Sequence, residues 1–372
     1  MQFTIKKENL LKLLYLTNSI VEKRNTMPIL SNVKLVVERD LLKVAATDLE
    51  VSLLGSTTAE VISQGSIAVD AKVLYEIIRE LPDSNCSIKL VKNQKLEIES
   101  GKSIFKINVT SSDEYPSIAG VEVKDSISVE AKRLHEMIEK TAFAVSTDET
   151  RYNINGVYVE NLETEESGKC IRLVATDGHR LAMIERSADG LDIKKSVIIP
   201  KKGISELRKV LEDNDGVAFV SVSDGFFTVK SNDVVLGIRL VDGQFPDYKQ
   251  VIPKTHKTTI SLDKNSFLSA VKRVSLVTTD RSKALKLAFA NNTLIVSSSS
   301  PEYGDASDSI SVDQKGDDVT IGFSARYLVD VLQAMSNTET ITIRLNGDLG
   351  PGLFIGTSDD MYRCVVMPMR FE

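Results

Sequence analysis

Along this chain the spacing of apolar residues changes period in a fixed order, and it does so three times. Short alternating stretches, Phe3-Thr4-Ile5, Ile127-Ser128-Val129 and Ile260-Ser261-Leu262, each give way to apolar residues three and four apart: Leu10, Leu13 and Leu14; Leu134, Met137 and Ile138; Phe267, Leu268 and Val271. Alternation places side chains on the two faces of a strand, and spacing of three and four places them on one face of a helix. Each unit therefore opens with a strand that runs into an amphipathic helix. Strand pairs follow at Val33–Val37 with Leu41–Ala45, Gly156–Glu160 with Ile171–Ala175, and Leu285–Ala290 with Leu294–Ser298, separated by turn residues such as Asn291-Asn292.

A second helix is predicted at matching distance in each unit, over Ala71–Leu81, Lys201–Leu211 and Ala325–Met335; Lys72, Lys202 and Arg326 step by 130 and then 124 residues. More strands come next, Ser87–Val91, Leu96–Ser100 and Ser103–Val109 in the first unit, then Val217–Val222, Phe226–Lys230 and Val234–Leu240 in the second. The units close on Tyr115-Pro116, Phe245-Pro246 and Met367-Pro368. A local signature travels with the repeat. Val44-Ala45-Ala46-Thr47-Asp48-Leu49 returns as Val174-Ala175-Thr176-Asp177-Gly178-His179-Arg180-Leu181-Ala182-Met183, with Thr47 and Thr176 129 residues apart, and decays in the third unit to Leu294–Ser298. An internal repeat outranks local motifs. The fold class is α+β: three domains, each two helices on antiparallel sheet, with boundaries expected at residues 1–121, 125–252 and 257–372.

Composition changes this picture little. At 372 residues, 42% hydrophobic and 26% charged, with Gly and Pro dispersed, the chain reads as folded throughout. Lys6, Lys7, Glu8 and Lys12 interrupt the apolar positions near the start, unlike the core of a signal peptide, and no apolar run is long enough for a membrane span. Cys86, Cys170 and Cys364 lack CxxC spacing and read as buried thiols of a reducing, cytoplasmic setting.

Candidate chemistry is sparse. No Walker loop, GxGxxG, HExxH or GxSxG occurs, so nucleotide hydrolysis, dinucleotide chemistry, zinc proteolysis and serine hydrolysis lack their usual parts. No cofactor or metal is implied. Asp177 and His179 are the best available catalytic pair, for an alternative reading as a repair or replication enzyme, but no acid, base and ligand set converges on them. Charge carries more information. The formal net charge is −6, yet the six helices taken as 6–18, 70–81, 130–142, 201–212, 263–273 and 324–335 carry +2, −1, 0, +2, +2 and 0, a total of +5 against −11 elsewhere. Phosphate attraction follows local potential rather than net charge.

These residues carry a resemblance. Met27-Pro28-Ile29-Leu30-Ser31-Asn32, Thr47-Asp48-Leu49-Glu50, Arg151-Tyr152-Asn153-Ile154-Asn155-Gly156, Ala175–Ala182, Val241–Tyr248 and above all Val365-Val366-Met367-Pro368-Met369-Arg370 stand in the order and spacing of the bacterial sliding-clamp family, the beta subunits of DNA polymerase III, which the whole chain resembles. The resemblance implies a non-catalytic processivity factor. Three clamp domains per subunit would close, as a head-to-tail homodimer, into a ring around double-stranded DNA without reading its sequence.

It also implies roles for particular residues. DNA contacts would come from Arg24, Lys72, Arg79, Arg151, Tyr152, Lys201 and Lys202; Asn153 stands where the family often has a second aromatic. A hydrophobic pocket for short peptides of the polymerase, the clamp loader and other clamp-binding proteins would be lined by Ile154, Thr176, Gly178, His179, Arg180, Leu181, Pro246, Val251, Val365, Val366, Met367, Pro368, Met369 and Arg370. His179 and Arg180 are expected at its rim, and one of Val365 and Val366 is expected to face it. Thioether side chains repack readily around different peptides. Gln250, Phe371 and Glu372 depart from the family pattern and bear on peptide preference. The subunit interface would set Lys72, Lys102, Ile104, Phe105 and Ile107 of one subunit against Leu276, Val277, Glu302, Asp305 and Asp308 of the other.

Overall fold

The computed structural model describes residues 1–21, 27–164, 168–187, 193, 195–278 and 284–370. Arg24, Phe371 and Glu372 lie outside the described residues. The first repeat runs β1 (Gln2–Lys6), α1 (Lys7–Ile20), β2 (Asn32–Glu38), β3 (Leu41–Thr47), β4 (Val51–Thr58), β5 (Glu60–Ser63), β6 (Gly65–Asp70), α2 (Ala71–Glu80), β7 (Asn85–Val91), β8 (Lys95–Ser100) and β9 (Ser103–Thr110). The second runs β10 (Ile127–Glu130), α3 (Ala131–Ala142), β11 (Gly156–Thr164), β12 (Gly168–Thr176), β13 (Arg180–Ser187), β14 (Val197–Pro200), α4 (Lys201–Glu212), β15 (Val217–Ser223), β16 (Phe226–Ser231) and β17 (Val234–Arg239). The third runs β18 (Thr258–Asp263), α5 (Lys264–Val274), β19 (Ala284–Ala290), β20 (Thr293–Ser300), β21 (Gly304–Ser311), β22 (Asp313–Gly316), β23 (Val319–Ser324), α6 (Ala325–Ala334), β24 (Thr340–Leu345), β25 (Gly352–Gly356) and β26 (Asp359–Val366).

Local chemistry accounts for the helix starts. Asp70 and Asp263 end a strand and cap the following helix, their carboxylates accepting from the amides of Val73 at 2.8 Å and Ser266 at 2.6 Å, which satisfies donors that the first turn leaves open. In α5 the buried face is Phe267, Ala270, Val271 and Val274. Leu268 is only half-buried, because it lies about 100° around the helix from Phe267.

Among the described residues every repeat contributes two antiparallel sets of four strands, with β5 and β22 added beside β1 and β18 and a short pairing between β6 and β9. One has the order β6-β2-β3-β4, β14-β11-β12-β13 or β23-β19-β20-β21; the other has β1-β7-β8-β9, β10-β15-β16-β17 or β18-β24-β25-β26. Neighbouring repeats fuse at the last strand of each: β4 pairs with β17, and β13 pairs with β26 in the register Arg180↔Val366 to Ile184↔Tyr362. The chain consequently falls into two compact units that cut across the repeats, one made of Met1–His135, Gly190–Asp192 and Lys202–Leu240, the other of Glu136–Asp189, Ile193–Lys201 and Val241–Glu372. The middle repeat contributes one sheet to each unit.

In the second unit an ion cluster reinforces the β13–β26 junction. Lys140 lies 2.7 Å from Glu136 and 2.9 Å from Asp359, and Arg186 lies 3.0 Å from Glu136 and 2.7 Å from Asp359. The Tyr362 hydroxyl donates to the Lys140 carbonyl at 2.8 Å. Burial alone would raise the Asp359 pKa, but hydrogen bonds from Arg186 and Lys140 outweigh it and leave the carboxyl below its ordinary value. A depressed folded-state pKa contributes stability that is present above the unfolded value of about 3.9 and is lost as pH falls through the folded one. Asp359→Asn is expected to lower stability at pH 7 by about 1–3 kcal/mol and to flatten its decline below about pH 5. Chemical denaturation at pH 7 and at about pH 2.5, below the unfolded value, checks both; equal losses at the two pH values would contradict the assignment.

Candidate nucleic-acid interface and peptide pocket

The turn singled out by the repeat has one construction in two places. In the first copy Thr47 Oγ1 donates to the Val51 carbonyl and accepts from Leu49 N, while Asp48 Oδ1 accepts from Glu50 N and Val51 N. In the second, Thr176 Oγ1 donates to the Arg180 carbonyl at 2.6 Å and accepts from Gly178 N, while Asp177 Oδ1 accepts from His179 N and Arg180 N. The third copy lies beyond the stretch expected from sequence. Ser300 ends β20, 124 residues after Thr176, and its hydroxyl accepts from Glu302 N at 3.2 Å. Leu49 and Gly178 occupy the same left-handed position, at φ 79° and 90°. Glycine suits the second copy for another reason: the Arg151 guanidinium lies 3.0 Å from where a Cβ would stand.

Around this second turn, in the second unit, Arg180 is a buried cross-link rather than a rim group. Its guanidinium reaches Asp177 at 3.2 Å, Asp330 at 2.5 Å and the Phe143 carbonyl at 2.6 Å, and lies over the rings of Phe143 and Tyr327. The planar fork of arginine can bind three elements at once, and burying it requires such full pairing. His179 stays exposed, stacked 6.3 Å from Tyr327. A cleft of about 440 Å³ opens beside them, where Arg151 and Lys201 meet Arg326, His179 and Asp148.

On the same unit, residues of the expected peptide pocket share one face of the sheet. Leu181 pairs with both Thr176 and Val365, and Val365 with Leu353. Leu181 and Val365 are buried in a cluster with Val174, Met183, Tyr248, Leu353 and Ile355. Val366 points the other way and is also buried, as strand alternation requires. Ile154 is buried at the end of its turn, whereas Val251 and Met369 are 40% and 37% exposed. The strand ends at Pro368's doorstep: Met367 N donates to the His179 carbonyl and Met369 N to that of Gly322. Pro246 and Arg370 are exposed.

The remaining candidates sit elsewhere. In the first unit Lys72 pairs with Glu76 at 3.5 Å, Arg79 with Glu80 at 3.0 Å, and Lys202 with Asp48 of the first turn. Tyr152, 60% exposed, belongs to the second unit with Arg151 and Lys201. For the expected subunit interface, β9 displays Ile104 at 60% and Phe105 at 38% exposure, and Leu276 is 80% exposed after α5. Glu302 and Asp305 are exposed, but Asp308 is engaged by Arg273 of its own chain at 2.6 Å.

Family models for the DNA polymerase III beta subunit match the chain end to end: the N-terminal domain at residues 1–119, the central domain at 128–247 and the C-terminal domain at 249–370. The chain belongs to the DNA polymerase III beta subunit family. It is 35% identical to the beta sliding clamp of Caulobacter vibrioides and 33% identical to that of Bacillus subtilis, with all of each chain covered. The Caulobacter crescentus clamp structure superposes with a TM-score of 0.95 at 35% identity, covering 100% of this chain and 99% of that one. A Bartonella birtlesii sliding clamp bound to griselimycin matches at 0.94 and 33%, with both chains fully covered.

Family membership makes this a DNA sliding clamp and not an enzyme. Among the described residues no group of three or more His, Cys, Asp or Glu side chains could hold a metal, and no helix is long and apolar enough to cross a membrane. Sequence reasoning missed several clamp residues that surround the expected pocket. Phe245 was noted in a turn and Tyr248 only within the family motif, though both pack at the Leu181–Val365 cluster, and Tyr327, which lies against His179 and Arg180, was not distinguished from other helix residues.

Proposed function

We propose that two subunits associate head to tail into a ring that slides on double-stranded DNA, and that the Leu181–Val365 face receives peptides of the replicative polymerase, the clamp loader and other clamp-binding proteins in the cytoplasm. One observation carries the ring. The junction between repeats occurs twice within the chain, β4 with β17 and β13 with β26, and leaves one strand of each kind over. Among the described residues β21 pairs only with β20, and β9 pairs with β8 and, at its far end alone, with β6. A second copy supplies what each lacks. Such open edges invite pairing, and here Lys102 precedes β9 and Lys106 lies along it while Asp305 and Asp308 lie along β21, with Ile104, Phe105 and Leu276 as the apolar centre.

DNA contacts fit the same reading. Lys72, Arg79, Arg151, Lys201 and Lys202, with Arg24, offer charge to phosphates and Tyr152 a hydroxyl, without base readout, which suits sliding. Griselimycin, to which two relatives are bound in their crystal structures, would occupy the peptide face.

Burying a leucine as exposed as Leu276 contributes roughly 1.5–3 kcal/mol at each of two interfaces. Leu276→Ala with Val277→Ala is accordingly expected to shift sedimentation toward monomer at low concentration; an unchanged dimer would refute the interface. Removal of Met367–Glu372 takes away Met367 and Met369, the two thioether side chains expected to line the peptide face, at a cost of about 2–4 kcal/mol, or thirtyfold to a thousandfold in affinity for a labelled polymerase-derived peptide. The truncated protein should remain folded and dimeric by thermal melt and sedimentation, and undiminished peptide affinity would show that the pocket lies elsewhere.

A further inference from the structure

Beneath the peptide face runs a polar ladder that no role has yet absorbed. Glu160, Arg172 and Glu185 stand directly opposite one another on β11, β12 and β13. The Arg172 guanidinium reaches Glu160 at 3.1 Å and Glu185 at 2.7 Å. Its Nη1 also donates to the Tyr248 hydroxyl at 2.5 Å, and that hydroxyl donates to Glu160. The two carboxylate residues and Tyr248 are all less than 9% exposed.

The ladder shares its face with the apolar residues. Two residues along each strand from Glu160, Arg172 and Glu185 come Tyr158, Val174 and Met183, which oppose one another, and beyond them Thr176 opposes Leu181. The segment over this face is held at two points. Phe245 stacks on Tyr158 with centroids 4.8 Å apart, and Tyr248 inserts its ring into the cluster containing Leu181 and Val365. Pro246 and Val251, the exposed residues expected to wall the pocket, lie two before and three after Tyr248. Asp247 caps the short turn between them by accepting from Lys249 N and the Gln250 side chain.

We infer that the Glu160–Arg172–Glu185 ladder, by clasping the Tyr248 hydroxyl, positions the Pro246–Val251 wall against Leu181 and Val365 and so sets the affinity of the peptide face. Tyr248 acts through its hydroxyl as a positioning residue. Its hydroxyl is held between a cation and a carboxylate, and hydrogen bonds to charged groups are the strong ones. Without that bond the ring still fills its place, but the segment is fixed only by packing. A preorganised wall costs the ligand nothing to order, whereas a loosened one must be ordered on binding.

The inference rests on the peptide face proposed above, and the experiment separates the two. Full-length Tyr248→Phe and, independently, Glu160→Gln are titrated with griselimycin by calorimetry, alone and combined with Val251→Ala or Met369→Ala, beside thermal melts. Tyr248→Phe is expected to weaken binding about tenfold. It should be non-additive with Val251→Ala, since both act through one wall, and additive with Met369→Ala on the other side. Wild-type affinity in a folded Tyr248→Phe or Glu160→Gln protein, even with a lower Tm, overturns the inference, as does additivity with both partners. Griselimycin affinity unchanged by either Val251→Ala or Met369→Ala as a single substitution removes the peptide face itself, and the clasp with it.

Discussion

Backbone pairing between β13 and β26 is the constraint on which the functional surface depends. It joins a strand that follows the conserved-looking Thr176-Asp177 turn to the last strand of the chain, so Leu181 and Val365, 184 residues apart, become direct neighbours. Antiparallel register permits no half measures: a slip of one residue would turn Leu181 and Met183 away from Tyr248 and expose the other face. The ion cluster of Glu136, Lys140, Arg186 and Asp359 reinforces the same junction from the other end of the strands. Arg180 ties it to α3 and α6. A surface assembled from two repeats is therefore one continuous sheet.

The elements were legible because their signals are local. Alternation and three-and-four spacing marked the helices to within a residue or two, and the repeat multiplied each signal by three. Leu268 was misjudged because spacing alone does not say where the apolar arc is centred. Long-range pairing was not legible. Nothing in the sequence says that repeats fuse through sheet edges, or that the middle repeat divides its two sheets between two compact units. The third copy of the turn was misplaced since Ser300 preserves only the hydroxyl of Thr176, and hydrogen-bond geometry survives where identity does not.

Site residues divided in the same way. Leu181 and Val365, quoted from contiguous motifs, came together, whereas the orientation of Arg180 did not follow from its motif, because its partners Phe143 and Asp330 are distant in sequence. Tyr248 and Arg172 were overlooked for that reason too: a tyrosine in a turn and an arginine in a strand acquire meaning only through Glu160 and Glu185 beside them.

An acidic chain that works on DNA is physically consistent if retention comes from closure and not from grip. Weak phosphate contacts allow sliding and vanish at high salt, whereas a closed ring has no dissociation path that salt can accelerate through screening. The most direct measurement follows. Clamps loaded on a nicked circular duplex and washed in high salt should stay bound, and cutting the circle once should release them within the time of one-dimensional diffusion to an end. Equal, salt-sensitive loss from circular and linear DNA would contradict the ring.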